Sequence, residues 1–301
     1  MSFLKNILIV GSRGFIGSAL CEYFEKNNYN VFKCDVYPDP VQNYFCIDIQ
    51  KPDYREIFVK HDIDAVIFAA GSADVSGSLL KPDYDFLLNT QTVYAVLEAI
   101  RISGKTTKVI NLSSAAVYGN PTILPVKENC PANPVSPYGW HKLESETICN
   151  EFYKIYNVPT ISIRIFSAYG IGLKRQLFWD LYQKTLIKNH IEFFGTGDES
   201  RDFIYIDDLV YAIDLILHKA EFTGGTINIA NGEEVSIKSA VKSFLNFFDK
   251  EITYEFNGIT RDCDPLNWKA DISNLIQLGY KRSFSFEEGL NKYITWLNEK
   301  K

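Results

Sequence analysis

Tyr138 and Lys142 stand four residues apart in the stretch Ser136-Pro137-Tyr138-Gly139-Trp140-His141-Lys142. Ser136 is a good helix cap, and Pro137 suits the first helical position, where no amide hydrogen bond is needed. The spacing then puts the phenol and the ammonium on one helix face. A phenol titrates near pH ~10 and is a poor base at neutrality. An ammonium beside it favours the phenolate. Lowering the phenol by about three units takes roughly 4 kcal/mol. Such a pair could take a proton from a hydroxyl while hydride leaves the same carbon. Tyr-x-x-x-Lys also arises by chance on amphipathic helices, as an exposed lysine beside a half-buried tyrosine, so other parts of the chain must support the chemistry.

The first of these is a hydride carrier. Ile7-Leu8-Ile9-Val10 has the apolar run of a buried strand and leads into Gly11-Ser12-Arg13-Gly14-Phe15-Ile16-Gly17. Apolar residues at Phe15, Ile16, Ala19, Leu20 and Phe24 then follow helical spacing. Strand, glycine turn and helix make a dinucleotide fingerprint. Gly11 permits the tight turn, Gly14 lets the backbone approach a pyrophosphate, and Gly17 lets helix pack on strand. The helix N-terminus faces the phosphates. The spacing is G-x-x-G-x-x-G rather than G-x-G-x-x-G. Asp35 ends the next strand, Val31-Phe32-Lys33-Cys34-Asp35, at the distance expected for a ribose contact. A carboxylate there repels a 2′-phosphate and favours NAD over NADP; Arg13, in the same loop, is the residue that could meet a phosphate. The alternative for Asp35 is a capping role.

The 301-residue chain has room for two lobes or one large α/β unit. Hydrophobic residues make up 46 % and the net charge is −6, which disfavours a nucleic-acid partner. No apolar run reaches membrane-spanning length, and Met1–Asn6 lacks the pattern of a signal peptide. The six cysteines, Cys21, Cys34, Cys46, Cys130, Cys149 and Cys263, include no C-x-x-C pair and read as reduced thiols of a cytoplasmic protein, with no metal site.

Strands are expected at Tyr44–Ile47, Asp64–Ala70, Lys108–Leu112 and Thr160–Phe166, alternating with helices at Pro82–Ile100 and from Tyr138 to about Tyr156. That alternation predicts a doubly wound parallel sheet, an α/β fold with its ligands at the C-terminal strand ends. Beyond Ser167 the pattern loosens. A strand is expected at Asp202–Ile206, with Asp207 capping a helix to His218, and amphipathic helices follow at Ser236–Phe248, Ile272–Leu278 and Phe286–Leu297. The expected division is a Rossmann domain over residues 1–166 and a smaller, interleaved substrate lobe over 167–301, with 202–230 returning to the sheet.

The assembled set resembles the extended short-chain dehydrogenase/reductase family, specifically its NAD-dependent nucleotide-sugar epimerases and dehydratases. The resemblance spans nearly the whole chain and rests on Gly11, Gly14, Gly17, Asp35, Asp48-Ile49, Ala69-Ala70-Gly71, Asn89, Ser114, Tyr138, Lys142, Arg164, Arg201-Asp202-Phe203 and Arg261-x-x-Asp264. It implies Tyr138 as acid/base, Lys142 as holder of the nicotinamide ribose, and Ser114 as donor to the sugar's reacting oxygen. Ser114, rather than its neighbour Ser113, has the family's spacing to Val117-Tyr118-Gly119. It further implies Asp48 and Ile49 near the adenine, Arg201 and Arg261 on the diphosphate, and Asp264 on the nucleotide ribose. Asp202, Asp207 and Asp208 read as structural.

Two departures narrow the chemistry. Family dehydratases and decarboxylases carry acids between the catalytic Ser/Thr and Val-Tyr-Gly, where this chain has Ala115 and Ala116. The family's Arg-x-x-Asn reads Arg164-Ile165-Phe166-Ser167, so the sugar or diphosphate contact differs, with Lys174 and Arg175 as candidate phosphate partners. The resemblance thus implies a nucleotide-sugar 4-epimerase, a homodimer using NAD. A 4-dehydrogenase or 4-ketosugar reductase needs the same residues, and a non-catalytic dinucleotide-binding regulator would need none of Ser114, Tyr138 and Lys142 together.

Overall fold

The computed structural model describes residues 4–248, 251–260, 263 and 265–299. The first part of the chain alternates β1 (Asn6–Val10), α1 (Phe15–Lys26), β2 (Asn30–Asp35), β3 (Tyr44–Cys46), α2 (Arg55–Lys60), β4 (Ala65–Phe68), α3 (Val75–Leu80), α4 (Pro82–Phe86), α5 (Thr92–Ser103), β5 (Lys108–Ser114), α6 (Pro137–Tyr156) and β6 (Thr160–Ile165). Then come β7 (Ser167–Tyr169), α7 (Gln176–Ile187), β8 (His190–Phe193), β9 (Ser200–Arg201), β10 (Phe203–Tyr205), α8 (Ile206–Lys219), β11 (Thr223–Ile229), β12 (Val235–Ser236), α9 (Ile237–Leu245), β13 (Thr253–Phe256), α10 (Ser273–Gln277) and α11 (Phe286–Glu299).

The central sheet has seven parallel strands in the order β11-β6-β5-β4-β1-β2-β3. It is the doubly wound α/β sheet that the alternation predicts. Side chains of β1 divide between the two faces, as strand geometry requires. Ile7 and Ile9 join the core under α1, α8 and α11, while Leu8 and Val10 join the core under α2, α5 and α6. Each such fully buried aliphatic side chain contributes about 1.5–3 kcal/mol. The order reverses at β1, which pairs with β2 on one side and β4 on the other. That switch point opens a crevice at the strands' C-terminal ends.

Past β6 the chain builds small sheets, β7 with β10, β8 with β13 and β9 with β12, and sends β11 back beside β6. Asp202 ties this region together. Its carboxylate is buried and accepts from the backbone N–H of Asn231 and of Ala270, each at 3.0 Å. Burial pushes its carboxyl up to about 7, against the pull of those amides.

Two expectations differ in detail. The Pro82–Ile100 run is not one regular helix: a π-helical turn at Leu87–Gln91 separates α4 from α5. The wider turn keeps Asp85 and Asn89 on one side, and both are buried. Asp207 does not cap α8; it lies in the first turn, after Tyr205 at the cap position. Asp208 is structural, accepting from the backbone N–H of Ser283 at 2.8 Å and of Phe284 at 3.2 Å.

Candidate active site

The glycine turn sits at the switch point. Gly11 N–H donates to Cys34 O at 2.8 Å, fastening the turn to β2. Gly11 has φ +84°, and a side-chain carbon there would lie 2.5 Å from Ala70 N. At Gly17 it would lie 2.0 Å from Gly11 O, so only glycine lets α1 approach the turn. Helix α1 starts at Phe15 with Gly14 at its cap position, no side-chain cap and no acid in its first turn, leaving its N–H groups open to an anion. Phe15 and Ile16 are half-buried in that first turn, and Ala69 and Ala70 form the opposite wall before Gly71. Two buried acceptors here have no partner, Ser12 Oγ and Asn89 Oδ1. A narrow cradle with open amides and unpartnered polar atoms fits a dinucleotide.

Asp35 ends β2 at the rim. Its carboxylate accepts from Arg13 N–H at 2.9 Å and Val36 N–H at 2.8 Å, which fixes it beside the turn. The Arg13 guanidinium points outward to Asp39 at 3.3 Å. Asp48 is exposed and accepts from Gln50 N–H at 2.9 Å, with Ile49 half-buried beside it. With Asp35 negative at this rim, NAD(H) is expected to bind at least about tenfold, or ~1.4 kcal/mol, tighter than NADP(H). Asp35→Ala should narrow the ratio. Calorimetry checks both statements, and equal or tighter NADP(H) binding by the unmodified protein contradicts the first.

The catalytic candidates come together where β5 meets α6. Ser136 caps α6, accepting from Gly139 N–H at 3.2 Å, and Pro137 is in the first turn. Gly139 lets α6 close on the turn after β5: a side-chain carbon there would lie 2.7 Å from Ala116 O. Tyr138 is 6 % exposed and Lys142 5 %. At the end of β5 successive side chains point oppositely. Ser113 Oγ donates to Glu146 at 2.5 Å in the core, whereas the Ser114 hydroxyl accepts from Ala116 N–H at 3.2 Å and lies on the side of the Tyr138 phenol, whose pKa it pulls down. Ser114 is therefore the serine that faces Tyr138.

The electrostatics differ from the expectation that Lys142 lowers the Tyr138 phenol. Burial raises the phenol, Asp85 adds to that, and Ser114 and the Arg175 charge pull it down. Lys142 is instead aimed at the strand, donating from Nζ to Leu112 O at 2.8 Å. Burial lowers its ammonium to about 8, against the raising influence of Asp85, Glu146 and Cys149. Desolvation thus dominates both groups.

The expected substrate contacts are spread around this centre. Ser167 opens β7 and is half-buried, its N–H donating to Asp202 O at 3.0 Å. Lys174 and Arg175 are exposed ahead of α7, and Arg175 is close enough to act on Tyr138. Arg201 donates to Ser200 O at 2.8 Å and lies 5.5 Å over the Trp268 ring. Arg164 faces inward, pairing with Glu146 at 2.7 Å and lying 4.6 Å over Tyr118. Arg261 and Asp264 lie outside the described residues. Sequence reasoning passed over Ser12, Asp85 and His141. Ser12 was visible inside the glycine motif; Asp85 and His141 meet only in three dimensions, at 2.6 Å.

A family model described as the NAD dependent epimerase/dehydratase family matches residues 7–230. The chain belongs to that family. This member is accordingly an NAD-dependent enzyme of the nucleotide-sugar epimerase and dehydratase class, an extended short-chain dehydrogenase/reductase as its motifs suggest. Among curated relatives it is 30 % identical to a Bacillus subtilis protein named an uncharacterized UDP-glucose epimerase, covering 97 % of this chain and 98 % of that one. It is 25 % identical to the UDP-glucuronate 4-epimerase of Thermodesulfobacterium geofontis, over 97 % and 96 % of the two chains. Among solved structures, the UDP-glucuronic acid 4-epimerase of Bacillus cereus, in complex with UDP-glucuronic acid and NAD, superposes with TM-score 0.89 at 28 % identity, over 98 % of this chain and all of that one. Among the family member's described residues, no helix is long and apolar enough to cross a membrane.

Proposed function

We propose that the protein is a nucleotide-sugar 4-epimerase that works through a transient 4-keto sugar, with residues 1–166 holding NAD and most of 167–301 holding the substrate. The observation that carries this is the Ser114 hydroxyl set against a buried Tyr138 phenol at the end of β5, with Lys142 on the same helix face. Tyr138 takes the C4 hydroxyl proton and later returns it. Ser114 donates a hydrogen bond to the C4 oxygen as it becomes a carbonyl. Lys142 and Asn89 hold the nicotinamide ribose. Bound NAD supplies hydride exchange at C4 and, when oxidised, a positive charge that favours the phenolate. Ser167, Lys174, Arg175 and Arg201 are the proposed substrate contacts, joined by Arg261 and Asp264.

The two residues after Ser114 support epimerisation over elimination. Ala115 and Ala116 are buried, 0 % and 8 % exposed, and neither can transfer a proton. Two of the similar proteins named above are UDP-sugar 4-epimerases, which supports the same reading. The deciding experiment incubates purified protein with UDP-, GDP-, CDP- and dTDP-sugars, with and without added cofactor, and identifies products by NMR. A 4-epimerase interconverts C4 epimers with no net change in NADH. Product formation that consumes cofactor stoichiometrically would mean a dehydrogenase or 4-ketosugar reductase instead.

A homodimer is part of the same proposal. Val93 and Leu97 on α5 and Phe152 on α6 are core residues of the single chain, while Phe86 on α4 and Ile155 on α6 are exposed. Tyr94, Trp140 and Tyr156 add exposed apolar surface on α5 and α6. Light scattering should give twice the 34.4 kDa protomer mass; a monomer at micromolar concentration contradicts it.

A further inference from the structure

Behind Lys142 lie buried polar groups that this mechanism leaves unused. Asp85, near the end of α4, is 3 % exposed. Its Oδ1 accepts from Asn89 Nδ2 at 3.0 Å, and its Oδ2 lies 2.6 Å from His141 Nδ1. His141 directly precedes Lys142; its carbonyl accepts from Thr90 Oγ1 at 2.9 Å, and its ring meets Phe86 edge-on at 5.5 Å. The opposite orientation of the Asn89 amide would set two acceptors against each other, so Asp85 dictates that Asn89 Oδ1 points away from it. That oxygen faces Gly71. A side-chain carbon on Gly71 would lie 2.4 Å from Asn89 Oδ1 and 3.3 Å from Lys142 Nζ, so both groups converge on one backbone position.

We propose, on the reading that Tyr138 and Lys142 carry proton transfer, that Asp85 and His141 are positioning residues: the Asp85 carboxylate keeps the buried Lys142 charged and orients Asn89, and His141 holds Asp85 in place. Charged and titratable groups acting on Lys142 are Asp85 from α4 and Glu146 and Cys149 from its own helix. Glu146 is paired with Arg164 at 2.7 Å, and Asp85 is the larger of the two carboxylate influences on Lys142. Tyr138 is influenced by Ser114, Arg175 and Asp85. Asp85 also lines a cavity of about 320 Å³ with Asp74, Lys81 and Tyr84.

The sign follows. Asp85 raises both Lys142 and Tyr138. Removing its charge lowers both, so the phenol deprotonates and the ammonium is lost at lower pH. Both limbs of the rate profile then move to acid. The test uses NAD-loaded Asp85→Asn labelled with 13Cε-lysine, with Lys142→Arg to assign the resonance, and follows Lys142 by NMR beside the pH dependence of kcat/KM. The Lys142 midpoint should fall by roughly one pH unit, the rate profile should shift with it, and kcat should fall more than KM changes. Asp85→Ser, also uncharged, should give the same shift if Asp85→Asn folds poorly. His141→Ala should slow the unmodified enzyme and add nothing in the Asp85→Asn background. An unmoved Lys142 midpoint, or additive losses from the two substitutions, overturns the proposal. A midpoint that moves under an unmoved rate profile overturns the reading of Lys142 on which it rests.

Discussion

Tyr138→Phe is expected to lower turnover by about a hundred- to ten-thousandfold, the usual contribution of a positioned acid–base group, while NAD affinity stays unchanged. The substitution removes one oxygen from a side chain that is 6 % exposed, so packing is nearly conserved and the loss is chemical. The Ser114 hydroxyl keeps the bond it accepts from Ala116 N–H at 3.2 Å, which limits the structural cost. Steady-state kinetics and calorimetry measure the two quantities. Full activity in Tyr138→Phe would leave the helix with no part in proton transfer, and loss of NAD binding would mean that the phenol holds the cofactor rather than the proton.

Gly17→Ala has the largest effect expected on the cofactor site. The added carbon would lie 2.0 Å from Gly11 O and 2.8 Å from Gly11 C, and both are backbone atoms that no rotamer change can move. Either α1 lifts off β1 or the turn opens. The cost is set at about 3 kcal/mol or more, the upper end of overpacking. If the distortion is taken up by the turn, NAD affinity falls by at least about a hundredfold. Denaturant unfolding measures the first quantity and calorimetry the second. Near-normal stability together with near-normal NAD affinity would contradict the close approach of helix and turn.

What could be read from the sequence follows the range of the forces involved. The glycine turn was legible because its constraint is local: three small residues between an apolar strand and an amphipathic helix leave one geometry. The start of α6 was legible for the same reason, since Ser136 and Pro137 carry the cap in their own chemistry. Apolar runs identified β1 and β4, the Val/Ile-rich stretches around Lys108–Leu112 and Thr160–Phe166 identified β5 and β6, and their alternation with helices identified the sheet. The choice of Ser114 over Ser113 came from the family's spacing to Val117-Tyr118-Gly119. Long-range desolvation was not legible. The expected pairing of Tyr138 with Lys142 assumed that nearness decides a pKa, whereas burial outweighs the charges at both groups and Lys142 points to Leu112 O. The Asp85–His141 pair joins residues 56 apart through the packing of α4 on α6, and no local pattern encodes that. The π-helical turn at Leu87–Gln91 was equally hidden, because no Gly or Pro marks it in the sequence.

Hydride return is the central claim, and label at C4 tests it most directly. A nucleotide sugar deuterated at C4, incubated with the NAD-loaded enzyme, is followed by NMR and mass spectrometry of the C4 epimer formed. Tyr138 exchanges only the hydroxyl proton with solvent, so the carbon-bound deuterium should be retained at C4 of the product. Loss of deuterium from C4, into free cofactor or into water, would contradict epimerisation through a transient 4-keto sugar.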